Sequence, residues 1–193
     1  MIARAGSSMV ALLATLLPGC PDQGFHEIQR QRLEIQRQLL EIERLERNRS
    51  RWESTGPSEY QYEFERSCFC DPVSTALVRL QVVDGILESG VYLESFHSGS
   101  GVLIPAGAPV SPDALQHFGS IDDVFEDLHE ILEGAPHRFD ISYDEEFGFP
   151  TRVHILTCPP GRCTDDGLIL HLDALASAGA SVSSAIGRHT NRE

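Results

Sequence analysis

The sequence contains no lysine; all 15 of its basic residues are arginine. We read that as genome bias rather than a chemical demand. Positive charge is scarce against 29 acidic residues, which leaves a formal net charge of −14. A chain this acidic repels phosphate backbones and anionic headgroups, so nucleic acid is not an expected partner. The apolar run near the start, Met9 to Leu17 with Thr15 interrupting it, is nine residues long. A hydrocarbon core of about 30 Å needs roughly 20, so this run is too short to cross one. Also missing are an HExxH metal spacing, a Gly-x-Ser-x-Gly elbow, a phosphate-cradling glycine loop and a Cys-x-x-Cys pair. His97-Ser98-Gly99-Ser100-Gly101 reads as a flexible loop with no strand-to-helix context. The eight histidines, His26, His97, His117, His129, His137, His154, His171 and His189, are scattered and read as surface or edge residues. No cofactor and no metal set is implied, and no catalytic residue can be named.

What is present begins with an address. Arg4 precedes the apolar run, and the run ends in Leu17-Pro18-Gly19-Cys20. A cationic start, an apolar centre and a small residue at the end are the parts of a secretory signal. The Leu-x-Gly-Cys ending resembles the lipobox of bacterial lipoproteins. That resemblance implies cleavage between Gly19 and Cys20, acylation of the Cys20 thiol, and a mature body held to a membrane by its lipid. The expected organisation is a signal peptide over 1–19, a flexible leader over 20–24, a charged helix over 25–52, an α+β domain over 53–176 and a loose Ala/Ser-rich tail over 177–193. Hydrophobic residues make up 41% of the chain, enough for a real core.

The 25–52 segment repeats every seven residues as EIQRQRL, EIQRQLL and EIERLER, with Ile28, Ile35 and Ile42 in step and Phe25, Leu39, Leu45 and Trp52 near the same stripe. Acid precedes base at helical neighbour spacing in Glu34–Arg37, Glu41–Arg44 and Glu43–Arg47. The pattern predicts a helix, one lying partly on its own domain or else acting as a spacer or self-association element. It is no clean coiled coil: Gln31 and Gln38 fall where a seam wants apolar groups, and Leu33 and Leu40 point elsewhere. Charge is unevenly shared, with seven Arg against five Glu in residues 25–52 (+2) and seven Arg against 23 acidic residues in 53–193 (−16).

Gly56-Pro57 ends the helix. Tyr60, Tyr62 and Phe64 then alternate with polar residues, the period of a half-buried strand, and the same parity puts Arg66, Cys68 and Cys70 on the aromatic side. A second strand is expected over Leu77–Val83 and a third over Ile86–Tyr92, joined by the hairpin signal Asp84-Gly85. Residues 93–119 read as a long loop. Ser120 suits an N-cap, Ile121, Val124, Phe125, Leu128, Ile131 and Leu132 form an apolar stripe, and Gly134 suits the C-terminal cap. Strands over His137–Tyr143, Thr151–Thr157 and Leu168–Leu172 follow. The expected class is α+β: an N-terminal amphipathic helix, then an antiparallel meander of about six strands with one amphipathic helix on one face.

Trp52, Tyr60-Gln61-Tyr62, Cys68-Phe69-Cys70, Asp84-Gly85 and the stretch Tyr143-Asp144-Glu145-Glu146-Phe147-Gly148-Phe149-Pro150 occur in the order seen in a group of small exported or lipid-anchored bacterial proteins classed as a domain of unknown function, which the chain resembles from about Trp52 to Ala176. The resemblance implies a fold and no reaction. Cys158 and Cys163 depart from the usual pattern of the group. On the residues themselves, Asp144 can bond its own turn, Gly148 allows positive φ and Pro150 sets the entry to the next strand. A ligand-contact role for that turn is the competing reading.

Once Cys20 is set aside, the even number Cys68, Cys70, Cys158 and Cys163 suits an oxidising compartment. Two disulfides between the Cys68/Cys70 strand and Cys158/Cys163 are expected, with local closure of Cys158 on Cys163 still open. A bridge between Cys68 and Cys70 is disfavoured because same-face strand neighbours hold parallel Cβ vectors. Export and the Cys-x-Cys spacing argue against a zinc site. The resulting expectation is an envelope protein, anchored by lipid and facing the periplasm or cell exterior, that serves as a non-catalytic binding or structural module, with a possible envelope protein as partner. The alternatives are an assembly component that adds a partner strand to a sheet edge and an enzyme whose site the sequence does not gather.

Overall fold

The computed structural model describes residues 22–68, 71–158 and 167–177. The chain divides into an N-terminal unit, Met1–Gln36, and a body, Arg37–Glu193. Helix α1 (Asp22–Thr55) contributes to both. In the N-terminal unit its Ile28, Leu33 and Ile35 are exposed.

In the body the chain continues as β1 (Glu59–Ser67), α2 (Pro72–Thr75), β2 (Val78–Val83), β3 (Ile86–Tyr92), β4 (Phe96–His97), β5 (Leu103–Ile104), α3 (Pro112–Leu115), α4 (Ile121–Glu133), β6 (Arg138–Tyr143), β7 (Pro150–Leu156) and β8 (Gly167–Ser177). Six strands form one antiparallel sheet in the order β3-β2-β1-β8-β7-β6, and β4 pairs with β5 separately. The class is α+β, as the periodicities predict. The meander is split in two, however: β1-β2-β3 and β6-β7-β8 are separate three-strand runs joined side by side through β1 and β8. The 93–119 stretch is not a bare loop, since it holds the β4–β5 ribbon and α3. The last strand reaches Ser177 instead of ending at Leu172, with a register shift opposite Gln61 and Glu63. The rest of the expected tail, 178–193, and the expected address at 1–19 with Cys20 lie outside the described residues.

Local chemistry accounts for the elements. Asp84 (φ 49) and Gly85 (φ 77) both take the left-handed backbone that a two-residue hairpin turn requires. Ser120 caps α4 reciprocally: its hydroxyl accepts from Asp123 N at 3.2 Å while the Asp123 carboxylate accepts from Ser120 N at 2.7 Å. Gly134 does follow α4, bonding Glu130 O at 3.1 Å, but it is Ala135 that takes the positive φ. The stripe Ile121, Val124, Phe125, Leu128 and Leu132 is buried against the sheet face that carries Tyr60, Tyr62 and Phe64. Each such side chain removed from water is worth about 1.5–3 kcal/mol of transfer free energy. Aromatic rings run through this core in contact, Trp52–Tyr60–Tyr62–Phe64–Phe118, at centroid separations of 5.2, 5.9, 6.3 and 5.8 Å. The Tyr60 hydroxyl accepts from Ile121 N at 3.1 Å and the Tyr62 hydroxyl donates to Gly119 O, so β1 holds the start of α4 by two buried phenols. The body's part of α1 lies on the same face, with Leu45 fully buried. The opposite face of the sheet has no helix among the described residues.

Candidate functional site

The residues of the Trp52 and Tyr143–Pro150 pattern converge where α1 meets the β6–β7 turn. Trp52 packs edge-on against Phe149 (6.1 Å) and Tyr60 (5.2 Å), and its indole N–H donates to Asp122 in the first turn of α4 at 3.1 Å. Asp144 organises the turn: its carboxylate accepts from Glu146 N (2.9 Å) and Phe147 N (2.7 Å), and its backbone exchanges bonds with Phe149 O (2.8 Å) and Gly148 N (3.1 Å). Gly148 has φ +85, and a Cβ there would stand 2.7 Å from Asn48 O of α1. Tyr143 donates its hydroxyl to Glu41 at 3.2 Å and lies under the Arg44 guanidinium at 4.9 Å. Burial pushes the Tyr143 phenol well above its ordinary value, and the Glu41 carboxylate adds to the shift. Pro150 opens β7 and is buried. These side chains are spent on holding α1 to the turn, and Trp52 and Phe149 are themselves buried.

The same helix closes one edge of the sheet. Arg37 and Arg44, seven residues apart, donate to Phe139 O (3.2 Å) and Ile141 O (3.3 Å) on β6, and Arg51, a further seven along, donates to Glu145 O (3.1 Å). Gln38 donates to Leu132 O near the end of α4 at 2.7 Å. At the other edge, Gly107 N and Val110 N donate to Tyr92 O and Gly90 O, and Tyr92 N donates to Ala108 O, which covers the second half of β3. Unpaired edges are the places where a foreign strand would add.

Strand alternation leaves a polar face opposite the helices. In one cross-strand row stand Glu65 (β1), His171 (β8), Arg152 (β7) and Ser142 (β6). Ser142, Thr151, Arg152, His171, Leu172 and Asp173 line an open groove of about 300 Å³. It offers a guanidinium, an imidazole, a carboxylate and two hydroxyls, a set that can bind a small polar or mixed-charge group by hydrogen bonds. No motif marks these residues because they come from three strands; only the shared parity of the strands could have put them on one face. A second notch, about 250 Å³, lies between α1 and α4 and is lined by Glu46, Arg49, Glu126, His129, Glu130 and Glu133. There His129 stands 2.9 Å from Glu46 and 3.4 Å from Glu133. Among the described residues no three His, Cys, Asp or Glu side chains are placed to hold a metal ion.

Cys68 and Cys158 lie at one end of the sheet. Arg66 of β1 and Val153 of β7 both pair with Leu170, and Ser67 and His154 both pair with Ile169. The strands β1 and β7 therefore run parallel on either side of β8, and the chain leaves both at the same end, into Cys68 and Cys158. Cys70 and Cys163 lie outside the described residues. Near this end Arg66 lies over the Phe64 ring at 5.4 Å, on the aromatic side that the parity predicts. Burial raises the Asp127 carboxyl, with Arg66 opposing the shift.

No curated protein and no solved structure matches the chain. Residues 44–176, from the second half of α1 to the penultimate residue of β8, match the family of unknown function DUF6174, and the chain belongs to that family.

Proposed function

We propose that the chain is a lipid-anchored protein of the bacterial envelope whose body is a non-catalytic binding or structural module. One observation carries the second half of this reading: Trp52, Tyr143, Asp144, Gly148 and Phe149 are consumed in seating α1 and building a turn. The coverage of β6 by arginine side chains and of half of β3 by residues 107–110 favours contact through the open polar face over strand addition. The groove around Arg152, His171 and Asp173 is then the surface for a polar partner. The anchor rests on the sequence Leu17-Pro18-Gly19-Cys20. The disulfides rest on the convergence of β1 and β7, and neither Cys68 nor Cys158 is a free thiol. Bridging segments some 90 residues apart would add about 3–5 kcal/mol in the chain-entropy account.

The test is Cys20→Ala in a bacterium that exports the chain. Fatty-acid labelling should vanish and the body should leave the membrane fraction. Mass mapping of the unreduced parent protein should find no free thiol at Cys68, Cys70, Cys158 or Cys163. Labelling that survives the substitution refutes the anchor, and four free thiols refute the bridges.

A further inference from the structure

Two breaks of register bracket the polar groove. On β7, Tyr143 pairs with Pro150 and Ser142 with Arg152, so Thr151 is an extra residue in that strand. On β8, Ala176 pairs with Gln61 and Asp173 with Glu63, which leaves another extra residue, and Ala174 there takes φ 53. A bulge of this kind re-aims the side chains beside it. Thr151 and Arg152 both line the groove, although plain alternation would send neighbours to opposite faces. At the other break Asp173 Oδ1 accepts from Ala174 N at 2.8 Å, which fixes the carboxylate beside its bulge.

The opposite charges of the groove do not close on one another. Elsewhere on the same face Glu63 and Arg79 form an ion pair at 2.6 Å. Among the described residues Arg152 and His171 form none with Asp173, though all three line the groove. Asp173 stands two residues beyond His171, the direct partner of Arg152, and two strand residues span about 7 Å. By register, Arg152, His171 and Ser142 mark one end, Asp173 marks the other, and Thr151 falls between. An inorganic dianion would meet repulsion from Asp173 and from Glu65 across His171, and a simple cation would meet repulsion from Arg152. A small molecule that carries both charges suits both ends. The Arg152 fork can hold a carboxylate by two parallel N–H bonds, and the Asp173 carboxylate can accept from an ammonium. At about 300 Å³ the groove lies at the lower limit of ligand pockets, so its occupant is small.

We propose that this groove binds the zwitterionic head of a free α-amino acid, with its carboxylate on Arg152 and Ser142 and its ammonium on Asp173. The inference rests on the open polar face being the binding surface, and it names what that surface recognises. Titration of the isotope-labelled full chain in detergent, read by two-dimensional proton–nitrogen NMR, tests it with L-alanine as the probe. Alanine should shift the amide signals of Thr151, Arg152, His171 and Asp173 saturably. Arg152→Gln and Asp173→Asn should each weaken that binding about tenfold, the loss expected for one charge-assisted hydrogen bond. Neither change should disturb the fold, because Arg152 is exposed and an amide oxygen at 173 still accepts from Ala174 N. Acetate, methylammonium and inorganic phosphate, each with charge of one sign, should also bind about tenfold more weakly than alanine. A groove that answers acetate or phosphate as strongly as alanine overturns the amino-acid assignment and leaves the binding face standing. Unchanged alanine affinity in either variant overturns the assignment as well. A groove silent toward every probe overturns it and removes the groove from the binding face.

Discussion

Gly148→Ala is the sharpest probe of how α1 is held. The new methyl meets two separate costs. The first is conformational: φ is +85, and a side chain in the left-handed region costs about 1–2 kcal/mol. The second is steric, because the Cβ would stand 2.7 Å from Asn48 O and 3.2 Å from Arg51 Cβ. A helix carbonyl cannot yield by itself, so α1 must shift, and such overpacking costs about 1–3 kcal/mol. The structure supplies a matched control in Gly85, whose φ is +77 and where an added Cβ meets nothing within 4 Å. Gly85→Ala should carry the conformational cost alone. Urea denaturation followed by circular dichroism should therefore show Gly148→Ala losing about 1–3 kcal/mol more than Gly85→Ala, a large share of a domain stability of about 5–15 kcal/mol. Trp52 is the only tryptophan and touches Phe149, so its emission should also shift to the red in native buffer for Gly148→Ala and not for Gly85→Ala. Equal losses in the two variants, with unchanged emission, would refute the claim that this turn seats the helix.

Two further outcomes follow from the same geometry. The double change Arg37→Ala with Arg44→Ala should cost about 1–3 kcal/mol, since each removes one half-exposed hydrogen bond of about 0.5–1.5 kcal/mol to an edge carbonyl, and should speed aggregation on heating by uncovering β6; light scattering that matches the parent would remove the edge-guarding role. All four tyrosines, Tyr60, Tyr62, Tyr92 and Tyr143, have phenols raised above 10.0, chiefly by burial. The folded state then holds protons that the unfolded chain releases above that pH, so stability falls as pH rises past it. Phenolate absorbance should stay low in the native protein just above pH 10 and appear on unfolding in urea, and an ordinary titration in native buffer would contradict the burial.

Much of the fold was legible because it is written in local spacing. The heptads of α1, the alternation of Tyr60, Tyr62 and Phe64, the Asp84-Gly85 turn and the Ser120 cap each depend on residues within one or two turns of one another, where backbone hydrogen bonding sets the period. The β4–β5 ribbon and α3 escaped because two- and four-residue elements carry no period to detect. Alternation also told which side of a strand faces inward, and so put Arg66 beside the aromatic core.

Alternation does not say which strand lies next to which. That pairing is decided by the burial of the whole apolar set, and here it joined β1 to β8 and split the meander in two. From that single adjacency come the convergence of the cysteine-bearing ends and the row Glu65–His171–Arg152–Ser142. The heptad arginines show the same division. Their seven-residue spacing is a property of the sequence alone, while their task, capping the carbonyls of an edge strand some 100 residues away, exists only once the helix is packed. Local hydrogen bonds and side-chain period specify elements; only long-range packing, which no window of sequence contains, specifies neighbours.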